Sequence, residues 1–306
     1  MEFTKMHGAA NDFVMVDARN IIIDWPKLAI AVCNRHLGIG CDSLIILLNS
    51  DKADIAMRTF DTDGSESETC GNGIRCVARY CLEKELIDPD AEEVTIETLF
   101  TINRVTFEKK DGKVVKFWAN MGKPWLEADK IPVTTLHTDK DEHSLISYPV
   151  KVSGIELTLN LVSMGNPHAV HFTREPVADF PMSKIGPLVE NLPIFPNRIN
   201  FEVARVLDNK NIEARVWERG VGETLACGSG TCAITVASKL LGYTGSKVDI
   251  HLRGGVLQGI WNGNGEVVIG GPAEIVYEGN WPDRGIVNEN SPAHGKSPAL
   301  SICRDK

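Results

Sequence analysis

Two short segments of the sequence place a cysteine directly before a Gly-x-Gly pattern. The segments are Cys70-Gly71-Asn72-Gly73 and Cys227-Gly228-Ser229-Gly230. An apolar, helix-like stretch follows each segment, so each cysteine is predicted to stand at the start of a helix. The first amides of a helix have no intrahelical partner and carry partial positive charge, which suits a carboxylate or a thiolate. Glycine at these positions permits a sharp backbone turn and lets a ligand approach the amides.

The occurrence of two such helix starts indicates a particular chemistry. The dipole at each helix start is expected to lower the pKa of its thiol, so that a base and an anion-binding site lie together. If the two starts face each other across a cleft, Cys70 and Cys227 lie on opposite faces of one substrate carbon. One thiolate then removes a proton while the other thiol delivers one, and the stereocentre is inverted.

The other six cysteines are predicted to be small buried hydrophobic residues. They are Cys33, Cys41, Cys76, Cys81, Cys232 and Cys303. The sequence contains no Cys-x-x-Cys pair, and the cysteine spacings match neither zinc nor iron–sulfur patterns, so we predict no metal ion. The start of the chain lacks the apolar region of a secretory signal, which predicts reduced thiols and a cytoplasmic protein.

Composition and charge exclude several other classes of protein. Hydrophobic residues make up 43% of the 306 residues and charged residues 24%, which is typical of a globular protein with about two domains. The longest apolar run, Leu28 to Cys33, is far shorter than the roughly 20 residues of a membrane span. The formal net charge of −9 repels phosphate backbones, so we expect a small-molecule substrate and no nucleic-acid partner.

The elements that position the two cysteines are mostly short strands. Alternation with period 2 predicts strands over Asp12–Asp17, Lys113–Trp118, Glu156–Val162 and Asn211–Trp217. Helices are predicted over Pro26–His36, Gly71–Glu85 and Gly228–Leu241. Gly242 follows the last of these helices as a predicted C-cap. The pattern is that of an α+β fold rich in antiparallel strands.

The two cysteine segments also mark an internal repeat. Cys70 and Cys227 are 157 residues apart, close to half the chain, and each follows a polar loop and precedes an apolar helix. At the same offset Asn11 corresponds to His168, and a strand-like segment begins near each. We therefore predict two similar halves, with a boundary near residues 122–124, and one cysteine from each half in a shared site.

These residues belong to a larger set of motifs that resembles the diaminopimelate epimerases, a cofactor-independent family of the lysine and peptidoglycan precursor pathway. The similarity covers nearly the whole chain. Besides the two cysteine segments it includes Lys5–Phe13, Asp63–Ser65, Met121–Pro124, Gly165–His168, Phe195–Asn200, Glu218–Ala226 and Gly271–Glu274. Each piece alone is a weak signal, whereas both cysteine motifs in this order and at this spacing are specific.

The resemblance implies two pseudo-symmetric domains, each a strand-rich barrel around a central helix, with the active site in the cleft between them. Residues 1–121 and about 276–306 are expected to form one domain, and residues 122–275 the other. The implied reaction interconverts LL- and meso-diaminopimelate with a thiolate–thiol pair and without a cofactor, in a homodimer. Residues 288–306 extend beyond the usual end of the family and are expected to form a mobile tail.

The resemblance also implies roles for individual residues. Cys70 and Cys227 correspond to the two proton carriers, and His168 and Glu218 to residues that assist them, since a nearby base can take a thiol proton. Arg219 is suited to a bidentate contact with a carboxylate, and the amides after each cysteine to binding the α-carboxylate. The positions implied to bind substrate are Asn11, Ser43, Asp61, Gly71, Asn72, Asn166, Asn200, Glu218, Arg219, Gly228 and Ser229.

Four positions depart from the family pattern. Asp61 replaces a usual Asn, Ser43 a frequent Gln or Gly, Phe100-Thr101 an Ala-Gly pair, and Ala10 a common Gly. Asp61 matters most, because a fixed anion would repel a distal carboxylate of the substrate. An Asx-type bond from Asp61 to nearby backbone amides is expected in this turn-prone segment.

Several interpretations of Asp61 remain open. It is protonated, it binds the distal ammonium group, or the protein is a cofactor-independent racemase of another, basic amino acid. The non-enzymatic alternative is a binding protein on the same scaffold, which would be expected to lose one or both cysteines. Both cysteines are present, so an enzyme is predicted.

Overall fold

Strands greatly outnumber helices in the computed structural model, which describes residues 1–67, 70–134 and 145–282. The α-helices are α1 (Trp25–Cys33), α2 (Gly71–Glu83), α3 (Met182–Glu190) and α4 (Gly228–Leu240). The strands are β1 (Glu2–Gly8), β2 (Asn11–Asp17), β3 (Ser43–Leu48), β4 (Ile55–Asp61), β5 (Glu66–Ser67), β6 (Glu93–Glu97), β7 (Ile102–Lys110), β8 (Lys113–Asn120), β9 (Tyr148–Val152), β10 (Ile155–Ser163), β11 (Pro167–Phe172), β12 (Asn200–Val206), β13 (Asn211–Glu218), β14 (Gly222–Thr224), β15 (Lys247–Leu252), β16 (Gly255–Ile260), β17 (Val268–Gly271) and β18 (Glu274–Asn280).

Strand pairing divides these elements into two equivalent series. In the first series β1 pairs antiparallel with β2, β2 parallel with β3, β3 antiparallel with β4, and β4 parallel with β6. Strands β10, β11, β12, β13 and β15 repeat this order and these directions. Helices α1 and α3 connect the parallel strands, and α2 and α4 follow the short strands β5 and β14. The predicted internal repeat is confirmed.

The two halves join along their last strands. β8 of the first half pairs antiparallel with β17 of the second, so that Phe117 stands opposite Gly271 and Asn120 opposite Val268. β18 then pairs antiparallel with β1, and β9 pairs in the same way with β10. Through these pairings the eighteen strands of the described segments form one continuous sheet.

Helices α2 and α4 are the central helices of the two halves. α2 contacts β1, β2, β6, β7 and β8, whereas α4 contacts β10, β11, β12, β15 and β16. Most residues of both helices are buried, as a helix surrounded by strands requires. Ile74 and Val77 of α2 pack in one apolar core, and Ile234 and Val236 of α4 in another. The predicted α+β fold with two repeated domains is confirmed.

The predicted helices correspond to α1, α2 and α4, with ends that differ by at most three residues. Gly242 has a positive φ of 72° directly after α4, as a C-cap glycine requires. The sequence does not predict α3, because Gly186 and Pro187 interrupt it. Packing explains this glycine: a β-carbon on Gly186 would lie 2.5 Å from the ring of Trp217.

The turn between β1 and β2 contains one of the departures noted in the sequence. Ala9 and Ala10 have φ values of 54° and 63°, in the left-handed region that glycine adopts without strain. A two-residue turn with both φ values positive has the twist that an antiparallel pair of strands needs. The alanines therefore preserve the turn that carries the chain to Asn11, although at the cost of backbone strain.

The predictions for the other cysteines are largely confirmed. Five are buried, and they are Cys33, Cys41, Cys76, Cys81 and Cys232. Cys303 and the tail predicted over residues 288–306 lie outside the described residues. In the part of the chain that the structure describes, we find no helix with the length and apolarity needed to cross a membrane.

Candidate active site

Cys70 and Cys227 are the N-cap residues of α2 and α4. Each sulfur accepts a hydrogen bond from the third amide of its helix, which is Gly73 N–H at 3.5 Å for Cys70 and Gly230 N–H at 3.4 Å for Cys227. Sulfur thus takes the place that a Ser, Asp or Asn oxygen has at many helix starts. The prediction that both cysteines stand at helix starts is confirmed.

The first residues of the two central helices contact each other. A β-carbon placed on Gly228 would lie 3.2 Å from Cα of Gly71, and one placed on Gly71 would lie 3.6 Å from Cα of Gly228. Because both helices begin at this contact, their partial positive charges act on the same small region. The two halves therefore contribute two helix starts to one place.

The glycines of the cysteine segments permit close packing. None of the four has a positive φ, so a left-handed backbone conformation is not the reason for glycine at these positions. A β-carbon on Gly73 would lie 2.8 Å from Cδ1 of Ile45, and one on Gly230 would lie 2.8 Å from Oε1 of Glu202. Glycine therefore lets these helix starts lie against β3 and β12 without displacing the Ile45 and Glu202 side chains.

Amide side chains surround Cys70. Its sulfur lies 3.4 Å from Oδ1 of Asn11, and the same oxygen accepts a hydrogen bond from Nδ2 of Asn72 at 3.2 Å. Asn72 also donates to the carbonyl of Ala226 at 3.4 Å, in the second half. Asn11 is fixed from the other side, because its Nδ2 donates to Asp42 at 2.7 Å. The structure thus brings the predicted residues Asn11, Cys70 and Asn72 together.

A carboxylate and hydroxyl groups surround Cys227. Its sulfur lies 3.5 Å from Oγ of Ser229, and the Glu218 carboxylate is close enough to raise the pKa of the thiol. Glu218 ends β13 and also accepts a hydrogen bond from the Thr224 hydroxyl. Burial raises the pKa of Glu218 despite these hydrogen bonds, so this carboxylate is suited to accept a proton.

His168 is held between two polar partners behind Glu218. Its Nδ1 lies 2.7 Å from Oε1 of Glu202, and its Nε2 lies 3.0 Å from Oδ1 of Asn166. The side chains of His168 and Glu202 have no solvent exposure. Asn166 donates in turn to Oγ of Ser229 at 3.2 Å, which connects the histidine to the start of α4. The predicted residues His168, Asn166 and Ser229 therefore form one hydrogen-bonded chain.

Asn200 and Arg219 are joined to the backbone around the site. Nδ2 of Asn200 donates to the carbonyl of Pro167 at 2.8 Å, and its Oδ1 accepts from the backbone N–H of Arg219 at 2.9 Å. The Arg219 guanidinium donates to the carbonyl of Asn197 at 3.1 Å. Asn200 is buried, so this geometry fixes the loop that carries Arg219.

Ser43 and Asp61 contact each other in the first half. Oδ1 of Asp61 accepts hydrogen bonds from the hydroxyls of Ser43 at 2.9 Å and Ser67 at 3.0 Å. Within the described residues the hydrogen-bond partners of this carboxyl group are hydroxyls, and the Asx-type bond to backbone amides stays a prediction. Burial raises the pKa of Asp61, and the two hydroxyls oppose the rise only in part.

Burial opposes ionisation of both N-cap thiols. It raises the pKa of Cys70 to about 11 and the pKa of Cys227 well above its usual range. The Gly73 amide and Arg75 offset part of the rise at Cys70, whereas the Glu218 carboxylate adds to it at both sulfurs. The sequence predicts lowered pKa values from the helix dipole, and that prediction is wrong because desolvation is the larger effect.

Four charged residues that support the site are absent from the predicted set. Asp42 fixes Asn11 and Glu202 fixes His168, as described above. Glu190 is buried and accepts the backbone N–H of Gly220 at 2.9 Å, next to Arg219. Arg75 is fully buried on α2. For Arg75 the sequence contains a signal of its role: a charged residue occupies a helix position that the periodicity assigns to the core.

The fold and the meeting of two N-cap cysteines define a protein of the two-domain epimerase class. Two solved structures share the fold. A hydroxyproline epimerase from Agrobacterium vitis has a TM-score of 0.67 and 15% identity, over 91% of each chain. A PhzF-family phenazine biosynthesis protein from Bacillus anthracis has a TM-score of 0.63 and 16% identity, over 91% of this chain and 97% of that one. At these identities the similarity shows the fold alone.

Sequence relatives define the family. The family model for diaminopimelate epimerase matches residues 3–126 and 160–276, one match in each half. The diaminopimelate epimerase of Pelotomaculum thermopropionicum is 42% identical over 287 residues, 93% of this chain and 100% of that protein. That of Methanococcus maripaludis is 43% identical over 281 residues, 91% of this chain and 99% of that protein. The chain belongs to the diaminopimelate epimerase family, and it is an isomerase.

Proposed function

We propose that this protein interconverts LL- and meso-diaminopimelate by moving the α-proton between Cys70 and Cys227. The observation that carries the proposal is the contact between Gly71 and Gly228, because it brings two N-cap thiols from different halves to one region. Family membership supports the choice of substrate, since the relatives described above are diaminopimelate epimerases.

The α-carboxylate is the substrate group that two helix starts suit best. The amides of Gly71, Asn72, Gly228 and Ser229 belong to the first turns of α2 and α4, where amides lack intrahelical partners. Two helix dipoles directed at one carboxylate stabilise the negative charge that develops when the α-proton leaves. This contact requires neither a basic side chain nor a cofactor.

The reaction transfers protons on opposite faces of the α-carbon. One cysteine, as a thiolate, forms an S–H bond with the α-proton, and the electron pair of the broken C–H bond is delocalised into the carboxylate. The other cysteine, as a thiol, gives its proton to the opposite face, where the delocalised electron pair forms the new C–H bond. The electron pair of the broken S–H bond stays on the sulfur, which becomes a thiolate. The α-carbon is inverted, and the two cysteines have exchanged their protonation states.

The first thiolate needs a proton acceptor, because burial makes ionisation costly. Glu218 is the candidate base for Cys227, since each group acts on the pKa of the other and burial raises the pKa of the carboxyl group. The nearby His168 opposes part of the rise in the pKa of Glu218. Glu202 and Asn166 orient the histidine. Around Cys70 the neighbours Asn11 and Asn72 are amides and accept no proton.

We assign the distal end of diaminopimelate to polar residues that lie outside the starts of α2 and α4. Arg219 offers a guanidinium to the distal carboxylate. An ionised Asp61 would repel that carboxylate, but burial raises the pKa of Asp61 and so lowers the cost of protonating it when the substrate binds; the protonated form can donate a hydrogen bond. The same direction counts against a basic amino acid, whose side chain would favour an anion. The assigned residues are Asn11, Ser43, Asp61, Asn166, Asn200 and Arg219.

Isotope exchange tests the proposed reaction and substrate. In D2O, LL-diaminopimelate should gain deuterium at Cα while the LL and meso isomers approach equilibrium, measured by NMR and chiral chromatography. Lysine, ornithine, arginine and histidine are the comparison substrates. Exchange with lysine but not with diaminopimelate would replace the substrate with a basic amino acid. A protein that exchanges none of these amino acids would contradict the proposed reaction.

We further propose that the enzyme is a cytoplasmic homodimer. Seven cysteines of the described residues are free thiols, which suits a reducing compartment. Tyr277 is exposed on β18 and offers apolar area to a second copy. The pairing of β18 with β1 supports one domain of residues 1–121 plus about 276–306 and another of residues 122–275. Light scattering measures the molar mass of the protein and of Tyr277→Lys in solution. If both have the mass of a monomer, the proposed dimer is contradicted.

A further inference from the structure

The Arg75 guanidinium is buried where the two halves meet, and its hydrogen-bond partners are neutral. Nη1 donates to the carbonyl of Gly71 at 3.1 Å, and Nη2 donates to Oδ1 of Asn72 at 2.7 Å. Nε has no hydrogen-bond partner among the described residues, and the side chain has no solvent exposure. The ionisable groups that act on it most strongly are the thiols of Cys76, Cys70 and Cys232.

Backbone from both halves encloses this guanidinium. A β-carbon placed on Gly8, at the end of β1, would lie 3.4 Å from Nη2 of Arg75. A β-carbon on Gly271, at the end of β17, would lie 3.0 Å from the same nitrogen. Both strands thus use glycine where they pass the charge. The enclosure fits an arginine closely and leaves no room for a carboxylate side chain at either glycine.

The internal repeat shows that the fold does not require a cation at this position. At the 157-residue offset that relates Cys70 to Cys227, Arg75 corresponds to Cys232. Both are the fifth residue of their helix, and both are fully buried. A small uncharged side chain therefore fills the equivalent position in the second half. Burying an unpaired charge is strongly destabilising. The fold therefore does not explain the arginine in the first half, whereas a role in function does.

Asn72 connects Arg75 to both cysteine segments. Arg75 donates to Oδ1 of Asn72, which leaves Nδ2 of the amide to donate in other directions. That nitrogen donates to Oδ1 of Asn11, the atom nearest the Cys70 sulfur, and to the carbonyl of Ala226 in the other half. Rotation of the Asn72 amide would break all of these contacts together.

We propose that Arg75 is a positioning residue of the proton-transfer site: it fixes the Asn72 amide between the two cysteine segments and supplies the positive charge that offsets a thiolate beside the substrate carboxylate. The proposal rests on the two-cysteine reaction proposed above. Two anions held close together in a protein interior repel each other strongly. A buried cation that no carboxylate neutralises acts on both of them with its full charge.

Three variants separate the charge of Arg75 from its shape. Arg75→Met removes the charge and the hydrogen bonds but fills a similar volume. Arg75→Lys retains a charge but lacks the fork that holds both Gly71 and Asn72. Arg79→Met is the matched control, because Arg79 lies one turn further along α2 and pairs with Glu83. Circular dichroism and thermal unfolding establish whether each variant is folded.

The first measurement does not depend on epimerase activity. It is the rate at which iodoacetamide alkylates Cys70 at pH 9, resolved from the other cysteines by peptide mass spectrometry. Arg75→Met should slow this reaction about tenfold, which corresponds to a rise of one unit in the thiol pKa. Arg79→Met should leave the rate unchanged, and Arg75→Lys should fall between them. Glu218, the other charged group that acts on Cys70, is the same in all variants.

The second measurement separates kcat from KM for LL-diaminopimelate. Arg75→Met should lower kcat about 100-fold, a loss comparable to removing one group that stabilises a developing anion. KM should change less than about threefold, because in the proposed site Arg75 acts through Asn72 and the thiolate and does not contact the substrate. Arg75→Lys should restore part of the lost kcat.

Folded Arg75→Met with the alkylation rate and kcat of Arg79→Met would overturn the proposal. If Arg75→Met does not fold, Arg75→Lys tests the proposal instead. A kcat of this variant equal to that of the wild type would show that the two hydrogen bonds of the guanidinium to Gly71 and Asn72 are not needed, and would overturn the proposal. Failure of the proposed function has a different signature. The wild-type protein would then not epimerise diaminopimelate, while slower alkylation in Arg75→Met would still support the role of the charge at Cys70.

Discussion

The two halves have the same chain path, but their cysteines have different neighbours. The sulfur of Cys70 lies beside amides, those of Asn11 and the start of α2. The sulfur of Cys227 lies beside the Glu218 carboxylate and the Ser229 hydroxyl. The proposed reaction needs one thiolate and one thiol at a time. Unequal surroundings therefore give the pair a defined starting state, which two identical halves would not.

Single side chains at equivalent positions produce this difference. At the 157-residue offset Asp61 corresponds to Glu218, and these residues end β4 and β13. Ile45 corresponds in the same way to Glu202, and both lie against the third residue of the neighbouring central helix. The first half therefore has an apolar side chain where the second half has a carboxylate. The two halves repeat the path of the backbone but not the ionisable side chains around the cysteines.

Removing either thiol should have the largest effect. Cys70→Ala and Cys227→Ala are each expected to lower kcat by about 10³-fold or more, because one face of the substrate loses its proton carrier. Cys81→Ala, which truncates a buried cysteine of α2, is the control and should remain active. Chiral chromatography measures LL-to-meso conversion. If either N-cap variant turned over at nearly the wild-type rate, the two halves would not be joint contributors to the reaction.

The equivalent carboxylates should differ in their effect on activity. Glu218→Gln is expected to lower kcat about 100-fold, since the candidate base next to Cys227 is lost. Asp61→Asn should change kcat/KM less than about tenfold, because the described hydrogen-bond partners of this carboxyl group are the hydroxyls of Ser43 and Ser67. Steady-state kinetics with LL-diaminopimelate compares the two. Equal losses would mean that Asp61 and Glu218 have equivalent roles.

Glu202 should have an intermediate effect through His168. Glu202→Gln retains the shape but weakens the hydrogen bond that orients the ring, and kcat should fall about tenfold, as for other carboxylates that orient a histidine. Glu202→Ile introduces the side chain that the first half has at this position and should lower kcat further. Wild-type kcat in Glu202→Ile would show that this difference between the halves has no part in the reaction.

The smallest expected effect is on stability. Burial raises the pKa of Asp61, so the stability that its protonated form contributes is complete below its ordinary pKa and is lost as pH rises through the raised value. Asp61→Asn cannot ionise and should therefore raise Tm at pH 7 by about 2 °C, with a smaller gain toward pH 4. Exposed Asp63→Asn is the control and should give no such trend. A gain that does not vary with pH would rule out ionisation as its cause.

The sequence predicts the backbone of the site well, because local patterns determine it. A cysteine before Gly-x-Gly and an apolar run indicates a helix start, and α2 and α4 begin at Gly71 and Gly228. The 157-residue offset predicts the repeat, which the strand pairing reproduces. These features depend on residues close together in the chain or on the spacing of similar segments.

Properties that depend on enclosure are not predicted. The pKa values of Cys70 and Cys227 rise because the folded chain desolvates both thiols, and sequence patterns give only the opposing helix dipole. Glu202 follows the alternation of a strand, so its contact with His168 on the neighbouring strand is not apparent. Arg75 is enclosed by strands that are distant in sequence.

The pairing of β18 with β1 has a consequence for synthesis of the chain. Residues 2–8 bond to residues 274–280. At a synthesis rate of roughly 5 to 20 residues per second, β18 is therefore made roughly 15 to 55 s after β1. The second half closes the equivalent edge within a short hairpin, β9 to β10. The half made later is thus expected to complete its sheet first, while the earlier half carries an open edge that invites aggregation. A chain ending at residue 273 should therefore show hydrogen exchange protection in α4 and rapid exchange at the β1 amides that bond to β18 in the full chain.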